Sequence, residues 1–186
     1  MNMKGLAVGL SMVLLMAVAL GSAEAKEAKP FHSEDSGSYV SGGTPIDTGG
    51  DGRTADLVLT SGKGSHLGET TTQSAVEWGD FIPAPPGGCP AGKPYLAHLV
   101  TGGFVIRREN GDLLWGTLSS GTNCADFPTT SGIFSLTGTF TGGTGKFAGA
   151  SGGSLTVTGT AVPVVGPDSL GHQFGSVVSR TEGILP

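Results

Sequence analysis

Charged residues are scarce in this 186-residue chain, at 13% of the total, and acids outnumber bases by fifteen to ten. Proteins that grip a phosphate backbone do so with clustered Lys and Arg that displace counterions. With a net charge of −5 and no basic cluster, the chain is excluded from nucleic-acid and anionic-membrane binding. Aromatics are few as well, at 6%. No segment carries apolar residues at helical spacing, which excludes a helical bundle. No block recurs at a fixed period, which excludes solenoids and propellers.

The chemical motifs that would name a reaction are missing too. There is no Gly-x-Ser-x-Gly elbow to present a serine nucleophile, and no DxDxDG calcium loop. Cys89 and Cys124 are the only cysteines, too far apart in sequence for the close CxxC pair of a zinc or redox site. No cofactor and no metal is expected.

Residues 1–25 read as a targeting segment. Met1–Lys4 form a basic start, an apolar run follows, and Ala23-Glu24-Ala25 offers a small-x-small cleavage site. The run falls short of the ~20 residues that span a bilayer, and no stop-transfer cluster follows it. A secreted or periplasmic protein, free of the membrane after cleavage, is the expectation. In such a compartment Cys89 and Cys124 form one disulfide, tying the "PAPPGGCPAGKP" loop to the "GTNCADFP" loop.

What the chain has in quantity is glycine: 34, with 11 prolines. These punctuate β-patterned segments, as in a sandwich or a barrel. Residues 26–54 are polar and aperiodic, and are expected to form a flexible lead-in with at most a short edge strand at Gly37–Val40; residues 55–186 form the β domain. "DLVLTS" and "SHLGETTTQSAVEW" are strand candidates. "YLAHLV" and "FVIRRE" flank Gly102-Gly103, which predicts a bulge or bend. Asn110-Gly111 predicts a hairpin with a type I′ turn. "GIFSLTGTFT" places Phe134, Leu136, Gly138 and Phe140 on one face, and "GSLTVTGTAV" repeats the habit with Leu155 and Val157. The class is all-β, with seven or eight antiparallel strands.

"TFTGGTGKFAGASGG" invites comparison with a phosphate loop and fails it. Phe147 follows Gly145-Lys146 where magnesium coordination needs a hydroxyl, and Phe140 stands in place of the first glycine. A looser match to the dinucleotide pattern lacks the helix whose amides would face a pyrophosphate. The structural reading is that Gly142, Gly143 and Gly145 supply positive φ, so that Phe147 folds back over one end of the core.

The same residues resemble the segment joining late strands in the allene oxide cyclase-like and dirigent-like barrels, which carry a similar Gly-Gly-Thr/Ser-Gly-x-Phe run. The resemblance covers about a dozen residues. It implies a closed eight-stranded antiparallel barrel, with a β-sandwich as the alternative, and a cavity open at one end. Members cyclise or steer reactive, mostly apolar small molecules. No catalytic residue of that family aligns with a position here.

Candidate chemistry is therefore read residue by residue. His66 and Glu69 lie three apart, on opposite faces of a strand, and make no chelating pair. His98 and His172 are the other histidines of the β domain; a joint site with His66 has no support from spacing. Glu69, Glu77, Asp80, Asp112 and Glu182 would serve as general acid or base if any pointed inward, since burial raises a carboxyl pKa. Glu77, beside Trp78, is the foremost of them; Tyr95 is a candidate for the barrel mouth. Trp78 and Trp115 are expected in the core.

Two functions fit. One is an exported barrel that binds a small, largely apolar molecule, with cyclase or isomerase activity as the resemblance implies. The other is a non-catalytic structural or adhesive β-domain, against which the small number of large apolar side chains left for an outer face counts. A homo-oligomer is compatible with either.

Overall fold

A computed structural model of the chain describes residues 28–42, 46–127, 131–166 and 172–185. The targeting segment expected at residues 1–25 lies outside the described residues. Among the described residues nine strands are present: β1 (Lys29–Ser41), β2 (Asp56–Gly64), β3 (Gly68–Trp78), β4 (Ile82–Pro83), β5 (Tyr95–Arg108), β6 (Leu113–Asp126), β7 (Ser131–Gly143), β8 (Ser154–Val165) and β9 (Gln173–Leu185). Apart from the two-residue β4, each pairs antiparallel with its neighbours in sequence. β9 returns to β1 and β3 pairs with β5, so the sheet closes. The result is an eight-stranded up-and-down barrel, with β4 paired to the start of β5 outside the ring. Closure excludes the sandwich. Among the described residues no helix is long and apolar enough to cross a membrane.

The barrel has two unlike ends. At the lower end Phe31, Leu67, Phe140 and Phe147 are buried, and the Phe140 ring meets those of Phe31 and Phe104 edge-on at 6.2 and 5.8 Å. Phe147 sits on a single 3-10 turn, Gly145–Phe147, and plugs this end as the sequence leads one to expect. Lys146 and Arg108 lie over its ring at 4.9 and 5.9 Å. The reason for the glycines differs from the expectation. Gly145 has φ +56°, but Gly142 and Gly143 do not enter the left-handed region. They are small because a Cβ at Gly142 would lie 2.7 Å from the Trp115 indole, and one at Gly143 would lie 2.6 Å from the Phe147 Cβ. Trp115 is accordingly only partly buried, above Gly142, instead of inside the core.

Alternation in β7 and β8 is as read: Phe134, Leu136, Leu155 and Val157 face inward. Other local features need correction. The supposed lead-in contains β1, a full strand paired along its length with β9 and, from Ser33 to Val40, with β2. In the β5–β6 hairpin only Gly111 has positive φ, and the Gly111 amide donates to the Arg108 carbonyl at 3.0 Å. This is a type I turn followed by a left-handed glycine, not the type I′ turn, which needs positive φ at both central residues. The irregularity in β5 falls opposite Glu77 and Trp78, at Val100, whereas Gly102 and Gly103 pair regularly with β3.

Cys89 and Cys124 are disulfide-bonded, with Cα atoms 5.6 Å apart. Cys124 belongs to β6, so the bridge fastens the Pro-rich loop directly to the barrel wall. The outer wall is less polar than the sequence reading allows: Leu59, Val162, Val164 and Val178 are all about half exposed or more, on β2, β8 and β9.

Candidate functional site

The upper part of the barrel is hollow. A cavity of about 590 Å³ opens between the loops that carry Gly52, Arg53, Asp80, Phe81 and Phe127. That volume lies in the range that takes a drug-sized molecule, and an eight-stranded barrel has an interior wide enough for one.

Its lining is divided by strand. β1, β2, β3 and β9 contribute Ser33, Asp35, Thr60, Thr72, Ser179 and Thr181. The opposite wall, from β5 to β8, contributes Phe104, Ile106, Leu118, Phe134, Leu136 and Leu155. The exceptions are Val58, Val76, Trp78 and Val177 on the polar side and Asn123 on the apolar side. The interior is thus amphipathic, with hydroxyls and a carboxylate facing aromatic and branched aliphatic side chains.

Asp35 lies deep in the polar wall and is 6% exposed. Ser33 Oγ donates to its Oδ2 at 2.7 Å, whereas Oδ1 has no partner among the described residues. Burial raises its carboxyl above the ordinary range, offset in part by the Ser33 hydrogen bond. Across the cavity Asn123 Oδ1 is also buried and without a partner. A buried acceptor left unpaired costs on the order of 1–3 kcal/mol, so two such atoms in one cavity mark a place for hydrogen-bond donors.

The rim holds a second carboxyl. Asp56 begins β2, and burial pushes its pKa up to about 6, moderated by side-chain hydrogen bonds from Ser41 and Trp78. Tyr39 joins them; its phenol is raised first by burial and then by the Asp56 charge. Asp35 pairs with Gly62 on β2, and Asp56 stands at the other end of that strand. At ~3.3 Å per residue the two acids lie roughly 20 Å apart along the barrel wall.

The candidates named from sequence fall elsewhere. Glu77 is fully buried but points out of the barrel, where the 46–55 loop covers it. His98 is exposed on the outer face of β5. Tyr95 is near the mouth without lining it: its ring lies 4.7 Å from that of Phe127, which does. His66 is exposed in the β2–β3 turn, at φ +64°, and belongs to the lower end. His172, before β9, belongs to the upper end. The histidines are not gathered into one site. Glu69 and Glu182 pair with Lys63 and Arg180 in solvent, Asp80 with Arg53, and Asp112 with Arg108. Of these acids only Asp80 reaches the cavity, at its mouth; Glu69, Glu77, Asp112 and Glu182 do not line it. Trp78, expected in the core, lines the cavity near its rim.

Asp35, Asp56 and Asn123 are the groups that sequence reasoning missed. For Asp56 a signal exists, since it shares a strand face with Val58 and Thr60. No family model, curated protein or solved structure matches the chain.

Proposed function

We infer that this protein is an exported carrier or receptor for a small, largely apolar molecule held inside the barrel. The observation that carries the reading is the amphipathic cavity of about 590 Å³, open at one end and closed by an aromatic plug at the other. The apolar wall favours a hydrocarbon skeleton by removing it from water. The polar wall selects what that skeleton bears. Asp35 Oδ1 and Asn123 Oδ1 are acceptors, so the fitting ligand presents hydrogen-bond donors. A neutral alcohol or an amine meets that demand, while a carboxylate would face the Asp35 charge. The disulfide and the targeting segment favour an extracytoplasmic location. Native mass spectrometry of the purified protein tests the reading: a bound neutral or basic small molecule supports it, and a protein that neither carries nor takes up such a molecule overturns it.

A second reading has its own observation. Asp56, with a pKa of about 6, stands beside the Tyr39 phenol at the rim. A carboxyl poised near neutral pH can take and return a proton, which is what an isomerase or cyclase of the resembled family would require. Here Asp56 would act as the base and Tyr39 as a donor to a developing oxyanion. Turnover that follows Asp56 deprotonation and disappears in Asp56→Asn would establish this reading.

A further inference from the structure

Outside the barrel wall, three carboxylates converge where the 46–55 loop crosses the end of β3. Glu77 is 0% exposed. Its Oε2 is well held: the Thr48 and Gly49 amides donate at 3.0 and 2.9 Å, and Thr48 Oγ1 at 2.8 Å. Its Oε1 is buried and has no donor among the described residues. One carboxylate oxygen each from Asp47, Asp51 and Glu77 lie within 4.8 Å of one another. The loop backbone presses close, since a Cβ on Gly49 would stand 2.5 Å from Glu77 Oε1.

The charges do not balance. Arg53 is the cation that pairs here, and its guanidinium is engaged by Asp51 and by Asp80, at 3.1 Å in the second case. Among the described residues the one guanidinium thus pairs with Asp51 and Asp80, Asp47 and Glu77 are held by loop donors without a cation, and the fully buried Glu77 keeps an unpaired oxygen. An uncompensated buried carboxylate is costly enough to demand a positive partner.

We propose that Asp47, Asp51 and Glu77 form a calcium site that pins the 46–55 loop to β3. Each donor is a carboxylate oxygen, the preference of a hard cation. Oxygens placed about 2.3–2.6 Å from calcium reach about 5 Å across its coordination sphere, so the observed cluster fits one ion. Magnesium holds its oxygens at about 2.1 Å in a strict octahedron and keeps its waters, which suits this open, irregular set poorly. Asp47 and Asp51 already accept amide hydrogen bonds from Gly50, Gly52 and Arg53, which orient them and leave further lone pairs for the ion. Water completes the shell. Gly52, Arg53 and Thr54 of the same loop line the cavity mouth, so the ion would also order that rim.

The test is calorimetric titration of the chelator-treated protein with calcium chloride, alongside its thermal unfolding with and without the salt. Expected are one bound calcium per chain, a melting temperature that rises with calcium, and at least about tenfold weaker magnesium binding. Glu77→Gln preserves the acceptor held by Thr48 and Gly49 and replaces the unpaired oxygen with a donor. It should lose calcium binding, yet melt in chelator at or above the temperature of the unsubstituted protein. Asp51→Asn, at an exposed position, should weaken calcium binding about tenfold or more with the fold intact. The proposal is overturned if the unsubstituted protein binds no calcium at millimolar concentration, if both variants respond to calcium as it does, or if Glu77→Gln is as destabilised in chelator as in calcium. The last result would make Glu77 a purely structural anchor for the loop.

Discussion

The Asp35 carboxylate fills the room that a side chain at Gly62 would need: a Cβ there would lie 2.5 Å from Asp35 Oδ1, and 2.0 Å from the Glu34 carbonyl oxygen. These residues pair across β1 and β2, so the smallest residue on one strand makes space for an acid on the next. Gly62→Ala is therefore expected to destabilise the barrel by about 1–3 kcal/mol, as overpacking does. Urea unfolding checks it, and an unchanged midpoint would show that the two strands have slack.

Asp56 makes stability depend on pH. Its folded pKa, about 6, exceeds the ordinary 3.8. The folded state therefore holds the proton more tightly than the unfolded chain does. Its contribution is undiminished below pH 3.8, falls as pH rises through the interval to about 6, and is fully lost above it. Asp56→Asn removes that loss. Relative to the unsubstituted protein, the variant should gain stability between pH 4 and pH 7, by up to roughly 3 kcal/mol. Unfolding free energies of the pair at several pH values decide this; a constant difference would contradict it.

Ligand charge should matter more than ligand length. Decanol and decylamine are expected to bind more tightly than decanoate, because Asp35 lies in the cavity wall with an unpaired oxygen. Asp35→Asn should narrow the gap by about tenfold or more, in keeping with the cost of facing like charges in a dry site. Calorimetric titrations of the three amphiphiles into both proteins provide the comparison.

The Cys89–Cys124 bridge has a sequence separation of 35, closing a span that holds the end of the Pro-rich loop, β5 and most of β6. Replacing both cysteines by serine should lower stability by roughly 3–4 kcal/mol, since the unfolded chain regains the freedom of that loop. The urea midpoint of the double variant, measured under non-reducing conditions, tests the figure.

How far the fold was legible depended on which wall a strand supplied. β7 and β8 turn Phe134, Leu136, Leu155 and Val157 inward, so their alternation shows in the sequence. β1 turns Ser33, Asp35 and Gly37 to the same side as Phe31 and Tyr39, and a half-polar inner face cancels the period-two signal. That is why a thirteen-residue strand reads as a flexible lead-in. β2 misleads outright: Leu57 and Leu59 suggest the buried face, yet they are 38% and 52% exposed, while Asp56 and Thr60 face the cavity. Glu77 shows a different limit. Strand parity with Val76 and Trp78 places it outside, but its burial comes from a loop some thirty residues earlier, which no local pattern reports. The polar wall is at once what hid the site and what defines it.

The account stands on a hollow interior that takes up an amphiphile, and one titration tests this most directly. Decanol is added to the unsubstituted protein, to Val157→Trp, which fills the cavity, and to Val105→Trp, which adds the same bulk at an exposed position on the outer wall. Binding of one decanol per chain by the unsubstituted protein and by Val105→Trp, and none by Val157→Trp, is the predicted result. Equal binding by all three, or none by any, would contradict it.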